Sequence, residues 1–129
     1  HSEVDASLAG HPGISLLLSS STDPAVAQAI AELRRQCPGP AFFILDSDHS
    51  KEHVLGELEL LRDVTNEGDY VIVEDGNING HPVLPNWGEG PTEALNAYFE
   101  KYPDDYLRDS QREAKFGFTF APGGFLIKT

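Results

Sequence analysis

The sequence predicts an α/β domain built on a mostly parallel sheet with an antiparallel C-terminal edge. Two continuous apolar runs, residues 41–45 and Tyr70–Val73, are typical of parallel strands that are covered on both faces. A helical stripe between them predicts the crossover of a βαβ unit. Near the C-terminus, Phe116, Phe118 and Phe120 alternate with polar or small residues, as in an antiparallel strand. This combination predicts a Rossmann-like arrangement.

The N-terminal third is predicted to contain a strand and a helix. Residues 1–12 are polar and small, which predicts a loose entry segment. Residues 14–18 form a short apolar run that predicts a buried strand. Asp23 is expected to cap a helix with Pro24 in its first turn, and this helix should end at Cys37. Its apolar stripe consists of Val26, Ile30 and Leu33.

The remaining elements follow from similar patterns. The crossover helix should bury Val54, Leu55, Leu58 and Leu61. After a long loop at residues 76–90, Pro91 is expected to open a helix. This helix should bury Leu95, Tyr98, Phe99 and Tyr102. A short strand is predicted near Tyr106, and another at residues 125–127 after the turn at residues 122–124.

Composition limits both the size and the partners of the domain. The 129 residues suffice for one core, so we expect residues 1–129 to form a single domain or part of one. The sequence starts at His1 and contains no methionine, which is typical of a fragment. The net charge of -12 argues against nucleic acid and anionic membranes as partners. No apolar run is long enough to span a bilayer. A single cysteine favours a reducing, cytoplasmic location.

Carboxylates follow both predicted parallel strands. Asp46 and Asp48 come directly after the first strand, and Glu74 and Asp75 after the second. Neighbouring strands lie about 4.8 Å apart, so these side chains should converge at the carboxyl edge of the sheet, where ligands bind in open α/β folds. Lys51 is the only basic residue close by in the sequence. Carboxylates crowded in this way repel one another, which favours a bound hard cation, Mg²⁺ above all.

A structural role explains part of the same pattern. An aspartate or serine at a strand end often caps the next helix, and Asp48 or Ser50 could do so here. Capping needs only a single side chain, whereas metal binding needs carboxylates after both strands.

The sequence resembles the cephalosporin hydroxylase family over nearly its whole length. The resemblance is carried by residues 43–54 (FILDSDHSKEHV), 70–75 (YVIVED), 79–82 (NGHP), 20–24 (SSTDP) and 118–125 (FTFAPGGF). It implies the fold of class I S-adenosylmethionine-dependent methyltransferases. It also implies a Mg²⁺-dependent O-methyltransferase-type domain that acts on a hydroxyl of a small molecule or sugar.

The resemblance also implies roles for individual residues. Glu74 and Asp75 match the second pair of metal ligands, and Asp48 is the first choice for the remaining ligand. Similarity to catechol-type O-methyltransferases favours Asp46 instead, so both stay open. The cofactor, S-adenosylmethionine, is expected to contact Ser20, Ser21 and Asp46.

Two histidines are candidates for contact with the substrate. His49 stands where the catechol-type enzymes have a catalytic lysine, and a pKa near neutrality suits a general base. The alternative for His49 is a solvent-facing residue at the start of a helix. His81 could meet the substrate, or it could be a structural loop residue.

The chain departs from the family at the cofactor site. It has neither the Gly-rich loop after the family's first strand nor the acidic residue that ends the second, so it resembles the carboxyl-terminal part of the family and lacks these first two strands. Their absence would leave one side of residues 41–45 bare, which predicts association of copies through strand edges. The alternative function is therefore a truncated, non-catalytic binding or oligomerising module.

Two other enzyme classes share an Asp-x-Asp motif at the end of a strand. Metal-dependent glycosyltransferases lack the second acidic pair, which here is Glu74 and Asp75. Phosphatases of the haloacid dehalogenase type would need threonine or valine where Ser50 stands. Both classes therefore fit less well than a methyltransferase.

Overall fold

The computed structural model describes residues 10–129, so most of the predicted loose segment at residues 1–12 lies outside the described residues. The elements, in chain order, are α1 (Pro24–Gln36), β1 (Phe42–Leu45), α2 (Lys51–Arg62), β2 (Tyr70–Val73), α3 (Pro91–Lys101), β3 (Tyr106–Arg108), α4 (Ser110–Glu113), a 3-10 turn (Ala114–Phe116) and β4 (Phe125–Lys128). Within this part of the chain, no helix has the length and apolar character needed to cross a bilayer.

The four strands form one mixed sheet in the order β1-β2-β4-β3. β1 and β2 are parallel, with Leu45 opposite Val73, which confirms the predicted βαβ unit. β4 lies antiparallel between β2 and β3, so the antiparallel C-terminal edge is confirmed. The sheet is not mostly parallel, however, because two of the three pairings among the described strands are antiparallel. The difference comes from β4, which runs antiparallel to both of its neighbours, β2 and β3.

The core lies on one face of the sheet, under α2 and α3. It contains Val54, Leu58, Leu61, Val64, Val71, Val73, Ala94, Leu95, Tyr98, Tyr106 and Leu126. Burial of each large apolar side chain contributes about 1.5–3 kcal/mol, so this cluster is what fixes α2 and α3 on the sheet. The other face is more open, and Phe42 on that face is 58% exposed. The prediction that residues 41–45 are covered on both faces is therefore wrong for the described part of the chain, because Phe42 and Ile44 are both exposed.

Two predicted strands are absent. Residues 14–18 form no strand, and Leu18 is 89% exposed. The alternating Phe116, Phe118 and Phe120 lie in the 3-10 turn and the loop after it, and all three are exposed. Both patterns match strands in composition, but a strand also needs a neighbour for its backbone groups, and none of the described strands pairs with either stretch.

The predicted helix starts are confirmed. The Asp23 carboxylate accepts a hydrogen bond from the Ala25 amide at 2.8 Å and caps α1, with Pro24 as its first residue. α3 begins at Pro91, also as predicted.

A buried aspartate joins α1 to the sheet. Asp69 accepts hydrogen bonds from the amides of Ala41 and Asn66, each at 2.7 Å, and forms an ion pair with Arg34 at 3.0 Å. These contacts set the start of β1 against the start of β2, and thereby the register that delivers both acidic segments to the same edge.

Candidate functional site

The candidate site lies at the carboxyl edge of the parallel pair β1 and β2. Because Leu45 pairs with Val73, the residues that follow each strand emerge side by side. The Glu74 amide donates to the Leu45 carbonyl oxygen at 3.0 Å, which extends the ladder to the acidic segment itself. The geometric prediction that both strands deliver carboxylates to one edge is therefore confirmed.

Three side chains converge there with atoms that could bind a metal. Asp46, His49 and Asp75 each offer one ligand atom, and these atoms lie within 4.8 Å of one another. His49 Nε2 is 3.2 Å from Asp75 Oδ2. Asp75 has a φ of 53°, a left-handed conformation that aspartate tolerates better than most residues do. We call these three residues the acidic cluster.

Glu74 lies beside the acidic cluster, and burial and the charge of the cluster both shift the pKa of its carboxyl. Burial raises the pKa of the Glu74 carboxyl, and the negative charges of Asp46 and Asp75 raise it further. Lys51 does not relieve this repulsion, since its ammonium pairs with Glu89 at 2.9 Å. Among residues 10–129, no lysine or arginine forms an ion pair with Asp46, Glu74 or Asp75. The site is thus an acidic edge that His49 contacts through Asp75.

Asp48 is placed differently from Asp46. Its Oδ1 accepts a hydrogen bond from the Ser50 amide at 2.8 Å, just before α2, and it is not among the three converging residues. Hydrogen bonds from the Ser50 hydroxyl and amide hold the pKa of the Asp48 carboxyl below its usual value. Asp48 therefore forms a turn just before α2 and does not cap it, since Ser50 is the N-cap residue and its side chain makes no capping hydrogen bond either. Asp46, unlike Asp48, converges with Asp75.

The two serines expected to contact the cofactor occupy the loop before α1. Ser21 Oγ is 2.8 Å from His53 Nε2 and 3.3 Å from Ser47 Oγ. Ser20 Oγ instead contacts Thr22 Oγ1 at 2.9 Å. Only Ser21 of the two lines a cavity of about 370 Å³ between α1, β1 and α2, which Asp46 also lines.

A buried polar group at this cavity was not predicted from the sequence. Glu57 is 3% exposed, and its Oε1 accepts a hydrogen bond from Ser47 Oγ at 2.7 Å. Its Oε2 has no partner among the described residues. His53 and Glu57 are four residues apart on α2, and this spacing is the one feature of the sequence that indicates their contact. It does not indicate that Glu57 is buried.

His81 contacts a carboxylate that is not part of the acidic cluster. Its Nε2 is 2.8 Å from Glu93 Oε1, and Glu93 also accepts hydrogen bonds from Asn79 and from the Gly90 amide. Burial acts to raise the pKa of Glu93, but these hydrogen bonds outweigh it and lower that pKa to about 2. Glu93 therefore stays ionised and ties the loop at residues 76–90 to the start of α3.

Comparison with known proteins gives a consistent result. The family model described as "Rhamnosyl O-methyltransferase/CmcI" matches residues 3–129. A rhamnosyl O-methyltransferase from Mycobacterium tuberculosis (strain ATCC 25618 / H37Rv) is 53% identical over 128 residues, which cover 99% of this chain and 52% of that protein. The protein of the same name from Mycobacterium leprae (strain TN) is 52% identical over 128 residues, which cover 99% of this chain and 56% of that protein. The chain thus spans about half the length of the curated relatives that it matches. No solved structure gives a significant match.

Proposed function

The chain belongs to the rhamnosyl O-methyltransferase/CmcI family, and from that premise we propose that it is a Mg²⁺-dependent, S-adenosylmethionine-dependent O-methyltransferase-type domain that acts on a sugar hydroxyl. The observation that carries the proposal is the acidic cluster, whose ligand atoms converge within 4.8 Å at the edge where the sequence predicts a metal. The names of the relatives make a rhamnosyl group the first acceptor to test.

The donor set suits a hard divalent cation. Asp46 and Asp75 supply carboxylate oxygens, which Mg²⁺ prefers, and Glu74 lies close enough for its pKa to respond to both. We assign Asp46, Glu74 and Asp75 as the residues that would hold the ion, with Asp48 as the alternative to Asp46. An ion bound there would supply electrostatic stabilisation for an alkoxide that develops on the acceptor oxygen.

The cavity of about 370 Å³ between α1, β1 and α2 has the mixed polar and apolar lining that a nucleoside requires. Ser21, Asp46 and the buried Glu57 give it one polar end, while Ile30, Phe43 and Leu60 supply apolar walls. S-adenosylmethionine, when bound, supplies an electrophilic methyl group on its sulfonium. The unpartnered Glu57 Oε2 supports a ligand with a hydrogen-bond donor at this end.

His49 is the residue best placed to remove the proton from the acceptor hydroxyl. The His49 imidazole would accept the proton that the acceptor hydroxyl loses when its oxygen takes up the methyl group. Asp75, 3.2 Å from His49 Nε2, stabilises the imidazolium that results. Loss of such a base slows the reaction by about 10²- to 10⁴-fold.

Metal binding by matched variants tests the proposal. Mn²⁺ binding followed by electron paramagnetic resonance should show one site in the unaltered chain. Asp46→Asn and Asp75→Asn should each weaken it by more than about 100-fold, because each removes the negative charge of a direct ligand, whereas loss of a supporting group costs about 10- to 100-fold. Asp48→Asn serves as the control and should change affinity little. A loss of Mn²⁺ affinity only in Asp48→Asn would identify Asp48 as the first ligand. Unaltered Mn²⁺ affinity in all three variants would refute the proposed metal site and, with it, the proposed enzyme function.

A second assay separates an enzyme from a binding module. Transfer of labelled methyl from S-adenosylmethionine to methyl α-L-rhamnopyranoside should require Mg²⁺ and should fall in His49→Gln. The observation that favours the alternative module is that β1 is an edge strand of the described sheet, with Phe42 and Ile44 exposed on one face. Metal binding without cofactor binding or transfer would support that alternative.

A further inference from the structure

A second cavity is lined by residues that follow the acidic cluster in the sequence. Its volume is about 580 Å³, within the range of small-molecule sites. His81, Ser110, Glu113, Phe118 and Pro122 contribute to its wall. These residues come from the loop after β2 and from the segment between β3 and β4.

The cavity wall contacts the backbone that carries the acidic cluster. Gly76 directly follows Asp75, and a Cβ atom added at Gly76 would lie 3.0 Å from the Pro122 carbonyl oxygen. The Asn77 amide also donates a hydrogen bond to the Phe120 carbonyl oxygen at 3.3 Å. The segment that lines the cavity is therefore fixed against the end of β2, next to the proposed metal ligands.

The cavity combines an aromatic face with hydrogen-bonding groups. Phe118 is 59% exposed, and its ring makes an edge contact with the Phe120 ring, with 5.3 Å between the ring centroids. Glu113 Oε2 accepts a hydrogen bond from the Gly123 amide at 3.0 Å, whereas Oε1 has no hydrogen-bond partner within residues 10–129. Hydroxyl and imidazole groups come from Ser110 and His81. A pyranose ring matches this combination, since it has one face of C–H groups and a rim of hydroxyls.

We propose that this cavity binds the acceptor sugar, with the Phe118 ring against the C–H face and Glu113 accepting hydrogen bonds from ring hydroxyls. The proposal rests on the proposed function, because the segment that lines the cavity contacts Gly76, the residue after the proposed metal ligand Asp75. The apolar wall around Pro122 favours a 6-deoxyhexose, in which a methyl group replaces one hydroxymethyl group. Phe118 and Glu113 are thereby assigned as residues that determine acceptor specificity.

Titration of the isotope-labelled 129-residue chain with methyl α-L-rhamnopyranoside, followed by amide chemical shifts, tests this assignment. Shifts should cluster at residues 113–119 and at His81. Phe118→Ala should weaken binding by about 3- to 10-fold, as expected for the loss of one aromatic contact. Phe116→Ala is the matched control, because that ring is 82% exposed in the same segment but does not line the cavity. Glu113→Gln should weaken binding by about 10-fold through loss of charged hydrogen bonds.

Several results would overturn the assignment. These are shifts confined to Ser21 and Ser47 at the other cavity, equal effects of Phe118→Ala and Phe116→Ala, or no shifts at about 100 mM sugar, well above a millimolar dissociation constant. None of them depends on metal or cofactor. A chain that still binds Mn²⁺ through Asp46 and Asp75 would then keep the proposed function and lose only this acceptor site.

Discussion

Replacement of Asp69 should be the most damaging single change to a carboxylate in the described part of the chain. The Asp69 side chain is 1% exposed, and it satisfies two backbone amides at 2.7 Å and one guanidinium at 3.0 Å. In Asp69→Ala the Ala41 and Asn66 amides lose their acceptor, which costs about 1–3 kcal/mol for each group that stays buried. Arg34 also loses its partner, and a broken buried pair costs about 3–5 kcal/mol. These effects overlap, and Arg34 keeps some contact with water, so we expect a total loss of about 3–5 kcal/mol.

Urea unfolding followed by far-ultraviolet circular dichroism measures this loss directly. A decrease of that size is a large part of the roughly 5–15 kcal/mol that stabilises a typical domain. Asp69→Asn keeps one acceptor oxygen and should fall between the unaltered chain and Asp69→Ala. Asp63→Ala is the control, because Asp63 is exposed at the end of α2 and such changes stay within about 0.5 kcal/mol. A loss below about 1 kcal/mol in Asp69→Ala would refute the reasoning that this carboxylate joins α1 to the sheet.

Three further changes test other parts of the structure. Because the folded-state pKa of Glu93 is depressed from 4.5 to about 2, its contribution is fully present above pH 4.5 and is lost as pH falls towards 2. Glu93→Gln should therefore cost about 1–2 kcal/mol at pH 6 after solvent screening, and thermal unfolding should show this gap closing between pH 4.5 and 2; a gap independent of pH would contradict the linkage. Gly76→Ala should cost about 1–3 kcal/mol in urea unfolding, because its Cβ would meet the Pro122 carbonyl oxygen at 3.0 Å; unchanged stability would show that this loop yields easily. Ile44→Lys on the exposed edge strand β1 should reduce self-association in sedimentation velocity, whereas no concentration dependence in the unaltered chain would remove the proposed homo-oligomer.

The strand patterns show where prediction from the sequence succeeds and where it fails. The run at Tyr70–Val73 became β2 because both its neighbours, β1 and β4, are present to pair with it. Residues 14–18 have a similar composition but no pairing partner among the described strands, and they form no strand. Local composition sets the preference for extended backbone, whereas the hydrogen bonds of a strand depend on another segment.

The candidate site shows the same division. The sequence alone determined that acidic residues follow two consecutive parallel strands, because the alternation of strand and helix fixes which end of the sheet they reach. It favoured Asp48 over Asp46 as first ligand while leaving both open, and it gave no sign of the buried Glu57.

Only the tertiary structure placed Asp46 near Asp75, turned Asp48 towards the Ser50 amide, and paired Lys51 with Glu89. The physical reason is that a strand end fixes the position of the backbone, whereas the direction of each side chain depends on hydrogen-bond partners from distant parts of the chain.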